Sequence, residues 1–188
     1  MKLRLACIAA AILGLVLAVQ VSVARAEPEP EPEPEPTLSS FTGHWRWVGG
    51  ESELRALDSA IEKCVSKMNI FIRGIARRRI RKPNQPSPEL MVTLEGQNLA
   101  VRRPGRPALS APADGRPIDW REPGGDQFRV SHGLDHGVMY QRFEGASSFS
   151  LNRYLLDPKG QRMVVHTHIT SKRLPMPIEF DTTYERSP

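Results

Sequence analysis

Apolar positions along the chain change their period once. Phe41 to Val48 alternates, with Phe41, Gly43, Trp45 and Trp47 on one side and Thr42, His44, Arg46 and Val48 on the other, the pattern of a strand. Gly49-Gly50 ends it. From Glu51 to Lys82 the spacing is helical. Counted from Leu54 at about 100° per residue, Leu57, Ile61, Cys64, Val65, Met68, Ile72 and Ile75 share one face. Glu51 and Glu53 open this helix, while Arg77, Arg78, Arg79, Arg81 and Lys82 crowd its end, each sign at the pole of the helix dipole that favours it. Ile70, opposite the stripe, and Arg79, on it, break the pattern. Beyond the link Pro83–Pro88 the period returns to two, and strands are expected at 89–94, 99–103, 118–121, 127–132, 138–144, 148–156, 162–170 and 178–186.

Eight or nine strands at hairpin spacing, with no second crossover helix, predict a mainly β fold. The expected architecture is an antiparallel up-and-down β-barrel, closed because closure removes exposed edges. One long amphipathic helix, 51–82, lies between the first and second strands and buries its stripe against an end or flank of the barrel. Met163, Val165, Thr167 and Ile169 face inward on the penultimate strand, and Ile178, Phe180, Thr182 and Tyr184 on the last.

The first 36 of the 188 residues are of a different kind. Met1–Arg4 is basic, Leu5–Val19 is an apolar run, and Ala24-Arg25-Ala26 is a small-x-small exit, so 1–26 reads as a cleaved export signal. The alternative is an uncleaved inner-membrane anchor over 5–24, just long enough to cross a bilayer. Export implies the periplasm or the outside of the cell. Glu27–Pro36 is five Glu-Pro pairs, a composition that forbids helix and sheet and favours a polyproline II spacer of roughly 30 Å. It resembles the Glu-Pro stretches of periplasm-spanning energy-coupling proteins. Residues 37–188 then form one domain. The chain has 26 basic and 21 acidic residues. Without Lys2, Arg4, Arg25 and the five repeat glutamates the balance is 23 against 16, so the domain is about +7. Cys64 is the one cysteine left after cleavage, so no internal disulfide forms, and its place on the apolar stripe marks it as a buried, inert thiol. A monomer is expected.

Gly43-His44-Trp45 resembles the Gly-x-Trp pattern of lipocalins and related calycin barrels. The resemblance implies that Trp45 packs at the closed base beneath an arginine from the last strand, here Arg186. The chain is also similar to a group of exported, lipocalin-like bacterial proteins without assigned activity. The likeness rests on the Gly-x-Trp strand, on Ile75-Ala76-Arg77-Arg78-Arg79-Ile80, and on Arg173-Leu174-Pro175-Met176-Pro177 before the last strand. Departures from lipocalins are the helix after the first strand, the lack of a Thr-Asp-Tyr motif, and the lack of a cysteine pair.

A barrel of this kind either binds a small hydrophobic molecule or is filled by its own side chains. Its expected lining is Trp47, Phe128, Val130, Tyr140, Phe149, Leu151, Met163, Val165, Phe180 and Tyr184. The competing reading is docking on anionic lipid through the basic helix, with Arg77, Arg78, Arg79, Arg81 and Lys82 as the contact residues. Export argues against a nucleic-acid partner for the same cluster. His166-x-His168 has metal-like spacing but needs a third ligand from His44, His132 or His136, so both are read as solvated outer-face histidines and no metal site is expected. His132-Gly-Leu-Asp-His136 reads as a polar hairpin loop. No nucleophile–base pairing, phosphate loop or zinc-protease motif occurs, so neither an enzyme nor a cofactor is expected.

Overall fold

A computed structural model describes residues 35–122 and 125–188. The segment 1–26 read as an export signal, and the Glu-Pro repeat up to residue 34, lie outside the described residues. A short helix, α1 (Leu38–Phe41), precedes β1 (Gly43–Trp47). Two helices follow, α2 (Gly50–Val65) and α3 (Ile70–Asn84). The remainder is a meander: β2 (Glu89–Glu95), β3 (Asn98–Arg102), β4 (Leu109–Pro112), β5 (Ile118–Arg121), β6 (Gln127–Asp135), β7 (Val138–Gly145), β8 (Ser148–Leu156), β9 (Arg162–Ser171) and β10 (Ile178–Arg186).

Each strand pairs antiparallel with its neighbour in sequence, and β1 pairs with β10, giving the order β4-β3-β2-β1-β10-β9-β8-β7-β6-β5. The barrel is therefore nearly closed, with one seam where β4 and β5 do not pair. Proline explains part of this gap: Pro107, Pro112 and Pro117 flank or end the two strands and cannot donate to a ladder. The barrel has ten strands, not the expected eight or nine. The extra strand is β4, whose four residues Leu109–Pro112 do alternate buried and exposed but are too short a run, ending in proline, to read as a strand from sequence.

The single long helix of the sequence reading is two helices. Asn69 starts the second by accepting a hydrogen bond from the Phe71 N–H at 3.0 Å. Arg73 reaches back to the Met68 and Ser66 carbonyls at 3.0 and 2.7 Å, satisfying acceptors at the end of α2. The break resets the helical phase, which is why Ile70 and Arg79 did not fit one stripe. Leu57, Ile61, Cys64 and Val65 are buried as expected, against Ile178 and Phe180. Ile72 and Ile75 are not: they are 51 % and 57 % exposed, and α3 contains no buried residue.

Packing forms two separate clusters. Phe41, Trp45, Leu90, Val92, Leu99, Met139, Tyr154, Met163, Val165 and Tyr184 form one; α2 with Ile178 and Phe180 forms the other. In the first, the register of β1 on β10 sets Trp45 opposite Arg186. The guanidinium lies 4.3 Å from the indole centroid and bonds the carbonyls of Thr42, Ser40 and Gly160 at 2.6, 2.6 and 2.9 Å. Gly43 has φ +131° and a Cβ there would fall 2.8 Å from the same guanidinium, so both backbone and space require glycine.

Candidate functional site

The barrel interior holds a cavity of about 720 Å³, inside the range of roughly 300–1,000 Å³ that ligand pockets occupy. Every strand except β1 contributes to its wall, together with the Arg103–Pro107 loop and the Lys82–Ser87 exit from α3. Its lining mixes Leu90, Val101, Leu109, Val165 and Phe180 with Gln141, Asn152, Thr167 and Thr182.

Five of the ten expected lining residues border this cavity: Phe128, Phe149, Val165, Phe180 and Tyr184. Phe149 reaches its rim from the outer face, where it meets Arg142 and His168. Val130 and Met163 point inward but are sealed in packing, fully buried. Trp47 packs against the base cluster and donates its indole N–H to Glu53 at 2.8 Å. Tyr140 and Leu151, expected inside, face outward, at the parity opposite Gln141 and Asn152. Tyr140 is paired with Gly133 and lies over it, so closely that a Cβ on Gly133 would come within 2.4 Å of the phenol oxygen.

The reversal on β7 and β8 has a physical cause. The rule that apolar residues point inward fails there because Gln141 and Asn152 occupy the inner face, and their hydrogen bonds are met within the wall. In register, His132, Gln141, Asn152 and Thr167 are lateral neighbours on β6, β7, β8 and β9. Thr167 donates to the Asn152 side-chain oxygen at 2.9 Å, and Asn152 and the Tyr154 hydroxyl each donate to Gln141 Oε1 at 3.2 Å. Gln141 Nε2 is 2.9 Å from His132 Nε2, and His132 Nδ1 is 2.8 Å from the Leu99 carbonyl. A carbonyl only accepts, so the imidazole hydrogen is on Nδ1 and Nε2 accepts from Gln141. No buried side-chain nitrogen or oxygen among the described residues lacks a partner.

His132 is therefore not part of a polar hairpin loop. It is fully enclosed, and burial pushes its pKa below the ordinary 6.5. Only Asp135 and His136 of that segment are exposed. Tyr154 and Tyr184 are likewise buried phenols whose pKa burial raises, Tyr184 to about 12, while the nearby Arg103 guanidinium pulls both back. Arg103 is the cation beside the phenols that border the cavity. Alternation on β9 places Thr167 inward from the sequence, but apolar periodicity does not find His132, Gln141 and Asn152, its lateral neighbours on β6, β7 and β8.

Elsewhere, His166 and His168 sit on the outer face as read, bonded through Nδ1 to Asp181 at 2.7 Å and to Glu179 at 2.6 Å. No group of three metal-ligating side chains is assembled among the described residues. The basic cluster divides by face. Arg77 pairs with Glu62, holding its carboxyl below the usual range, and Arg81 pairs with Asp58 at 2.9 Å, so these two clamp α3 to α2. Arg78, Arg79 and Lys82 are exposed, with no ion pair among the described residues. Cys64 is buried, and burial raises its thiol pKa.

Echinococcus granulosus fatty-acid-binding protein 1 superposes with a TM-score of 0.50 at 15% identity, covering 80% of this chain and 99% of that one. The chain shares its fold. A secretary abundant heat soluble (SAHS) protein from Ramazzottius varieornatus gives 0.51 at 11% identity, covering 82% of this chain and 100% of its own. Both are calycin-like β-barrels. No protein-family model and no curated protein matches the sequence.

Proposed function

We propose that this chain is an exported, non-enzymatic barrel that carries a small hydrophobic molecule. The observation that carries the reading is the cavity of about 720 Å³ inside a ten-stranded barrel, large enough for a lipid-sized ligand. The fatty-acid-binding protein of like fold binds fatty acid by its name, which favours an apolar tail for the ligand here. The leader over 1–26 supports export on sequence grounds. Native mass spectrometry of protein purified from its own cells tests the reading, with Nile red titration of the same material. One bound small molecule per chain is expected, together with loss of Nile red binding when Val165→Trp fills the cavity. Nile red affinity unchanged in a folded Val165→Trp variant would exclude the cavity as the site.

The exposed face of α3 favours a second reading, delivery at an anionic membrane. Ile70 and Phe71 are 69 % and 88 % exposed, and Phe71, Ile75, Arg78 and Lys82 share one outward face at helical spacing. An apolar tip followed by unpaired cations suits an anionic bilayer surface. Flotation with vesicles containing a fifth phosphatidylglycerol tests it. Phe71→Ser with Arg78→Glu abolishes binding if α3 is the contact; undiminished binding rules α3 out.

A further inference from the structure

We propose that His132 is a proton-operated latch: uncharged, it ties β6 to β3 past the open seam and fixes the donor–acceptor direction of the cavity wall, and protonated, it reverses that direction and weakens ligand binding. The inference rests on the cavity being the ligand site.

Geometry carries it. No ladder joins β4 to β5, and the bond from His132 to the Leu99 carbonyl links strands on the two sides of that seam. From His132 the chain of hydrogen bonds runs through Gln141 and Asn152 to Thr167, and the last three line the cavity while His132 does not. All its donors point one way, from Thr167 toward Leu99. The neutral imidazole with hydrogen on Nδ1 is the one form that both accepts from Gln141 and donates to Leu99.

A second proton on Nε2 places two donors face to face across 2.9 Å. The clash is relieved when the Gln141 carboxamide turns over and offers Oε1 to the imidazolium. Its Nε2 then faces the Tyr154 hydroxyl and the Asn152 amide, both of which donated to Oε1 before. Asn152 must turn in its turn, and Thr167 changes from donor to acceptor. Acid at a residue outside the cavity thereby inverts the hydrogen-bonding face that a ligand meets inside it.

Few other charges bear on the ring. Gly115 of the β4–β5 turn donates to the His132 carbonyl, and the flanking Asp114 and Arg116 are exposed and paired with each other at 2.7 Å. From β8 the Tyr154 hydroxyl shares Gln141; from β3 the Leu99 carbonyl is the contact; Arg103, beyond β3, acts on the phenols. Burial is the main influence on His132 and holds its pKa below 6.5. The latch is therefore fully closed above pH 6.5 and opens as pH falls below it.

NMR on the full chain, uniformly ¹⁵N-labelled, tests the latch without any ligand. Hydrogen on Nδ1 of His132 is expected at pH 7.5, and on acidification the Gln141 and Asn152 side-chain amide signals shift with the same midpoint as the imidazole. Nile red affinity is expected to drop at least fivefold through that midpoint. His132→Asn keeps a donor for Leu99 but does not titrate, so its profile flattens, whereas His166→Gln with His168→Gln keeps the original one. Hydrogen on Nε2, or amide signals that ignore the imidazole, overturns the latch. An acid loss as large in folded His132→Asn as in the parent does the same. Coupled amide shifts with no Nile red binding at any pH would sustain the latch and remove the ligand reading instead.

Discussion

Arg186→Ala tests the base of the barrel. The guanidinium bonds three carbonyls, of Thr42, Ser40 and Gly160, and covers Trp45 at 4.3 Å. Because Arg186 is only half-buried, each bond is taken at about 1 kcal/mol, below the full range for charged groups. The cation–π contact adds about 1 kcal/mol. The expected loss is about 3–4 kcal/mol, which at a urea m-value of about 2 kcal/mol/M lowers the midpoint by roughly 1.5–2 M. Arg186→Lys keeps the charge but cannot span three carbonyls with one ammonium, so it recovers less than half. Combining Arg186→Ala with Trp45→Leu isolates the stacking, and a coupling of about 1 kcal/mol is expected. A loss under about 1 kcal/mol for the single variant, or strict additivity of the pair, refutes the assignment of this contact as the clasp between β1 and β10.

Three further outcomes are expected. Gly49→Ala puts a Cβ 1.7 Å from the Glu53 carboxylate, which holds both the Trp47 indole and the Thr183 amide. It should cost about 1–3 kcal/mol by urea unfolding and be no worse in a Glu53→Ala background. Burial raises the phenol pKa of Tyr154 and Tyr184, so the fold disfavours phenolate: stability is complete below pH 10 and falls as pH rises from there toward about 12. The slope is up to about 1.4 kcal/mol per pH unit per phenol, and urea midpoints measured from pH 9 to 11 should flatten in Tyr184→Phe. Phe71→Ser, at a position 88 % exposed, should leave stability by urea unfolding unchanged to within about 0.5 kcal/mol; a large loss would show that Phe71 packs against the barrel.

The inward alternation of β9 and β10 was legible because Met163, Val165, Ile178, Phe180 and Tyr184 obey the apolar-inside rule and are buried. The buried stripe of α2 was legible for the same reason at its own period. Where reading failed, other forces decided. Asn69 and Arg73 end one helix and begin another with hydrogen bonds that hydrophobic spacing does not register. At β4 the alternation is present but spans only four residues ending in Pro112, too few to register as a strand. On β7 and β8 the inner face is interrupted by Gln141 and Asn152, so the apolar residues at opposite parity, Tyr140 and Leu151, pointed to the wrong side. Rules of this kind fail where a protein spends its interior on something besides packing, as the polar residues Gln141 and Asn152 do at the cavity wall.

The two cores and the polar wall follow from one another. A barrel's bore widens with strand number, and eight strands are about the most that side chains fill across. At ten, packing succeeds where bulky groups reach inward, at the Trp45 cluster and beneath α2, and the span between is left open. An entirely apolar lining would leave that span without partner atoms for its walls, a loss of dispersion contacts that grows with volume. A wall carrying Gln141, Asn152, Thr167 and Thr182 accepts water when no ligand is present. Because Gln141, Asn152 and Thr167 also bond one another, they would incur no unsatisfied burial if an apolar molecule displaced that water. On the carrier reading proposed above, the internal hydrogen-bond chain would let one cavity be stable both empty and loaded, and the proposed latch would place the pH sensitivity of that wall on His132.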